Sequence, residues 1–139
     1  MARRYKIVWT VQIALAALFI FAGVAKLLMD AEAMSAVSAQ SGLPAAFLRF
    51  IGVCEMLGGL GLILPWALKI RRELTPIAAA CLLIIMAGAV VTSALTVSVV
   101  AALFPLTTGV LLATLGYVRW QQVRAEQSSG YRPQATGLG

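Results

Sequence analysis

Histidine is absent from this chain. Without an imidazole, the protein offers none of the usual nitrogen ligands for haem or zinc and no histidine general base. That removes the commonest redox-metal and hydrolytic designs. Cysteine is nearly absent as well. Cys54 and Cys81 stand far apart with no C-x-x-C pair, so one chain can build neither a thioredoxin-like dithiol nor a four-thiolate cluster. Both read as small buried packing residues. No metal site and no resident cofactor are expected. Acidic side chains are scarce, five against eleven basic ones, and all charged residues together make up 12% of the chain.

Apolar residues fill the space that charge leaves. At 61% hydrophobic, with a mean hydropathy of +0.93, the composition lies far outside the range of water-soluble domains and marks an integral membrane protein. The first charge-free run lies between Lys6 and Lys26, long enough to cross a hydrocarbon core of about 30 Å. A cleaved signal peptide would have a shorter apolar run and no lysine directly after it. A second run follows the turn "QSGLPA" and closes near Pro65 and Trp66. From Leu74 to Val118 nothing is charged, and one helix of that length would reach about twice the core thickness, so the chain must fold back once, near "TVSVVA". The expectation is an all-α, four-helix membrane bundle over residues 1–120, with spans at about 7–29, 45–68, 74–95 and 99–118, followed by a polar, disordered tail over 121–139.

The basic residues orient that bundle. Arg3, Arg4, Lys6, Lys69, Arg71, Arg72, Arg119, Arg124 and Arg132 all fall on one side, which the positive-inside rule assigns to the cytoplasm together with both termini. Trp9, Trp66 and Trp120 fall at the same ends of their helices, as an interfacial aromatic belt would. Topology thus explains the net charge of +6, with the lipid bilayer as partner and no nucleic acid implied.

One residue escapes these explanations. Glu55 sits in the middle of the second span, too deep to reach an interface, where a carboxylate calls for a partner or a proton. On a helix it shares a face with Gly52 and Gly59, which marks the side where a neighbouring helix comes close. Lys26 is the nearest candidate partner, and direct contact requires the lysine to reach inward or the first helix to extend past Asp30. With Arg49 and Asp30 these residues form a candidate polar cluster at the non-cytoplasmic end. Gly23, Gly52, Gly59 and Gly88 are the candidate close-packing glycines.

The ordered elements "FAGVAKL", "SGLP", "IGVCEMLGGLGLILP" and "LTPIAAACLLIIMAGAVVT" resemble the successive motifs of the DoxX-like membrane proteins. The resemblance implies a four-helix bundle of the bacterial inner membrane and carries Lys26 and Glu55 over as matching polar positions. One departure is Ser93, where related sequences often carry a histidine. It further implies a non-catalytic accessory or subunit of a quinone-linked oxidoreductase or redox-stress system, working beside a membrane redox enzyme or as a homo-oligomer. Two other roles stay open: a quinone-binding or proton-handling subunit that uses Glu55 and Lys26, and a small-solute carrier or assembly chaperone.

Overall fold

The computed structural model describes residues 2–130. It contains five helices, α1 (Ala2–Leu28), α2 (Ala31–Ser41), α3 (Ala45–Ala67), α4 (Leu74–Thr96) and α5 (Val99–Gly130). No strand occurs among the described residues. Helices α1, α3, α4 and α5 are each long and apolar enough to cross a membrane.

Several helix ends have a local cause. Asp30 takes an extended conformation and accepts the Ala33 amide at 2.8 Å, which starts α2 as an N-cap. Gly42, at φ 70°, ends α2 by donating its amide to the Ser38 carbonyl. At the far end of α3 the same left-handed closing position is filled by Lys69, at φ 55°, and the Ile70 amide reaches back to the Pro65 carbonyl at 3.0 Å. The reversal between α4 and α5 falls at Val97 and Ser98, inside the expected "TVSVVA" stretch. There the Ser98 hydroxyl accepts the Ala101 amide at 3.1 Å and caps α5.

Two differences from the sequence expectation concern polar segments. The segment between the first two expected spans, with no element expected in it, is largely the helix α2. Residues 121–130, read as tail, continue α5 to Gly130 because Gln, Arg, Ala and Glu are good helix formers. At 32 residues α5 is about 48 Å long and extends beyond the hydrocarbon core. Residues 131–139 of the expected tail lie outside the described residues.

The long helices pack in series: α1 runs along α3, α3 along α4 and α4 along α5, while α1 and α5 approach each other sparingly. Leu15, Ala16 and Phe19 of α1, Leu62 of α3, Leu82 and Met86 of α4, and Leu112 and Leu115 of α5 meet in one core. The outward faces carry large apolar side chains such as Phe21, Ile84 and Phe104. Such a surface suits lipid, so association rests on close packing and interhelical polar contacts more than on escape from water.

Candidate functional site

Glycine brings the first polar pair together. A Cβ placed on Gly23 would lie 2.5 Å from the Gly52 carbonyl oxygen, and one on Gly59 would lie 2.9 Å from the Ala16 carbonyl oxygen, so the α1 and α3 backbones nearly touch at both points. Lys26 follows Gly23 by three residues on α1, and Glu55 follows Gly52 by three on α3, displacing each about 4.5 Å from the crossing in opposite directions. Helical side chains tilt toward the N-terminus of their own helix, so on these antiparallel helices both lean back toward the crossing. The lysine stem lies over Gly52, where an added Cβ would meet Lys26 Cβ at 3.0 Å. Lys26 Nζ then donates to Glu55 Oε2 at 2.6 Å. The height difference that left this contact open in sequence is closed by side-chain direction.

The pair is asymmetric. Glu55 is 3% exposed, whereas the Lys26 side chain is 29% exposed. The carboxylate therefore depends on the lysine for its compensation, while the ammonium has a second way out.

Of the other residues assigned to this cluster, neither joins it. Asp30 caps α2, and Arg49 is exposed and lines, with Ser35 and Ser38, the cleft between α2 and α3. Gly88 is exposed, and a Cβ there would meet nothing within 4 Å, so it is not a packing glycine. Gly58 takes that part instead, because a Cβ on it would lie 2.6 Å from the Leu82 side chain on α4.

A second polar centre lies at the opposite end of the bundle. Arg119, read in sequence as an interfacial charge, is 0% exposed. Its Nε donates to Gln12 Oε1 at 2.7 Å, Nη2 donates to the same oxygen, and Nη1 donates to Gln122 Oε1 at 2.8 Å. Gln12 in turn donates through Nε2 to the Leu62 carbonyl, so α1, α3 and α5 are joined through one amide. The guanidinium also lies 3.9 Å from the Trp66 ring centre and 5.4 Å from that of Trp9. No carboxylate touches it among the described residues. Amide oxygens and the negative faces of two indoles supply the compensation.

Two of the three tryptophans therefore serve this centre. Trp120 is 44% exposed with Arg124 at 4.2 Å over its ring, as an interfacial residue would be. Pro65 shapes the same end of α3. Lacking an amide hydrogen, it leaves the Gly61 carbonyl without its helical donor, and the buried Thr75 hydroxyl of α4 donates to that oxygen at 3.3 Å.

The sequence held a signal for this centre. Gln12 is in register with Leu15, Ala16, Phe19 and Gly23, the buried face of α1, and Arg119 continues the buried series Gly109, Leu112 and Leu115 to Val123. A charge in phase with a packing face belongs to the interior.

A family model described as the DoxX-like family matches residues 10–115, more than half of the chain. The chain belongs to the DoxX-like family. Within this DoxX-like chain the match covers Gln12, Lys26 and Glu55 and stops short of Arg119, Gln122 and the last turns of α5. No curated protein and no solved structure matched the sequence.

Proposed function

We propose that this DoxX-like protein is a non-catalytic accessory or subunit of a membrane-associated, quinone-linked oxidoreductase or redox-stress system, set in the bacterial inner membrane with both termini cytoplasmic. The observation that carries the reading is how the buried polar groups are used. Lys26 is bonded to Glu55 and Arg119 to Gln12, helix to helix, and each contact fixes the packing of the bundle. Such an arrangement makes a rigid, lipid-embedded platform, which is what a docked enzyme requires. The clefts between α1 and α5 and between α4 and α5 are lined by other residues.

The test is functional and physical together. Cells lacking the chain should lose part of their membrane-bound substrate-to-quinone electron transfer, and a mild-detergent extract of wild-type membranes should show the chain migrating with that same activity. Unchanged quinone reduction in the deletion strain, with the chain migrating alone, would sink the proposal.

A second reading has one observation in its favour. Lys26 is partly exposed at the outer end of the pair, so a proton could pass from outside to the Glu55 carboxylate. Under that reading Glu55→Gln abolishes activity even where the bundle remains as stable as the wild type. Under the accessory reading, activity follows stability.

A further inference from the structure

The sparing contact between α1 and α5 leaves a cleft of about 580 Å³ on the outside of the bundle, lined by Val11, Leu15 and Leu18 from one helix and Leu103, Phe104 and Leu111 from the other. The Gln12–Arg119 contact closes the seam near the end where α1 begins. Thr107 and Thr108 also line the cleft, but their hydroxyls donate to the Leu103 and Phe104 carbonyls of their own helix. The cleft thus offers hydrocarbon contact and no free side-chain donor to recognise a polar ring. Its long axis follows the helices, since Val11 to Leu18 spans about 10 Å along α1.

Charge decides what fills it. Arg4 is in helical register with Val11, Leu15 and Leu18, at spacings of seven, four and three, and therefore lies on the cleft face of α1, about 10 Å before Val11. The headgroup and interfacial layer beyond a hydrocarbon core is about 5–8 Å thick on each side. Arg4 thus stands at headgroup depth when the cleft stands at acyl-chain depth. Arg3 and Lys6 flank it, and the first turn of α1 contains no acid. Ion pairs among the described residues join Lys26 to Glu55 and Arg72 to Glu126, leaving Arg4 without an acidic partner there.

We propose that the α1/α5 cleft holds an acyl chain of an anionic phospholipid whose phosphate is met by Arg4. The inference is independent of the accessory role. A zwitterionic lipid would fill the same groove but would bring its own cation to a site already rich in them, so selectivity comes from the head and placement from the tail.

The experiment uses the full chain in phosphatidylcholine vesicles, with chain-spin-labelled phosphatidylglycerol or phosphatidylcholine as the probe. In the wild type the phosphatidylglycerol label should be immobilised preferentially, and Arg4→Gln should lower that preference about fivefold, the factor matching about 1 kcal/mol for one surface cation. Ala14→Phe, which fills the cleft from the exposed side of α1, should remove the preferentially immobilised fraction while thermal stability is kept. Thr107→Phe fills it from α5 and serves the same purpose should Ala14→Phe fail to fold. Equal immobilisation of the two labels by the wild type would overturn the proposal, as would wild-type selectivity in Arg4→Gln or in a folded cleft-filling variant. Displacement of the phosphatidylglycerol label by a short-chain quinone added in slight excess would make quinone the occupant and equally overturn it.

Discussion

The two buried polar centres place charge inside the same apolar bundle by opposite means. At one end an acid and a base neutralise each other, and the architecture needs only two glycines to let α1 and α3 come close. At the other end a single cation is buried deeper than the lysine and has no acid among the described residues, so it gathers two glutamine oxygens and two indole faces from three helices. The difference follows from the side chains. A compact, strongly hydrated ammonium needs a counter-ion, whereas a planar, weakly hydrated guanidinium can be solvated by a fan of acceptors and by aromatic faces. The first centre is therefore vulnerable through charge, and the second through shape.

The largest effect is expected where a charge is stranded. Lys26→Met leaves Glu55 buried without its partner and should cost about 3–5 kcal/mol of stability in detergent. Glu55→Gln should cost less, because the partly exposed Lys26 can swing its head outward and keep its solvation. The double variant should be more stable than Lys26→Met alone. Thermal or denaturant unfolding of the three variants checks this as a double-mutant cycle, and simple additivity would show that the pair does not couple.

At the guanidinium centre the informative change preserves charge. Arg119→Lys keeps the cation but loses the fork that bonds Gln12 and Gln122 together and the flat face against Trp66. The cost should be about 1.5–3 kcal/mol, the scale of a lost hydrogen bond to a charged group. Equal stability of Arg119→Lys and wild type would show that charge, and not shape, is what this end requires.

A smaller effect separates the glycines. Gly59→Ala sets a methyl group against the Ala16 carbonyl and the Ile20 side chain of α1 and should cost about 1–3 kcal/mol, because backbone on one side cannot yield. Gly88→Ala faces open space and should be neutral or slightly stabilising through helix propensity. Gly61 is not such an open position, since a Cβ there would lie 2.9 Å from the Ala78 side chain on α4.

These residues also show what a sequence alone can tell. The four long helices, the reversal at Ser98 and the inward face of Glu55 were legible because each rests on one dominant force, hydrophobic length or the cost of a charge in lipid. The Lys26 contact was legible as chemistry but not as geometry, because it depends on the lean of two side chains across a crossing set by Gly23 and Gly52. Helix α2 went unread because it is too short and polar to resemble a span, although Asp30 and Gly42 bracket it with capping chemistry. Arg119 was missed for another reason. The positive-inside rule accounts for a cation by its position along the chain and takes no notice of its phase on the helix, and only the phase showed that it points inward.

The smallest effect tests whether charge pairing as such holds the molecule together. Arg72, on the connection between α3 and α4, pairs with Glu126 on α5, so a third polar contact lies at the same end as Arg119. Unlike the other two it is open to water, with the Glu126 side chain 53% exposed. Water and salt screen such a pair, and exposed pairs contribute about 0–1 kcal/mol. Glu126→Gln should therefore shift stability by less than any of the destabilising changes above, and the shift should shrink further at high salt. Arg72 also lies 4.7 Å over the Trp66 ring, a contact that salt does not abolish, so Arg72→Ala should cost more than Glu126→Gln and keep that excess at high salt. If Glu126→Gln proved as damaging as Lys26→Met, burial would not be what distinguishes these contacts, and the contrast between the two ends of the bundle would have to be drawn from something other than solvent access.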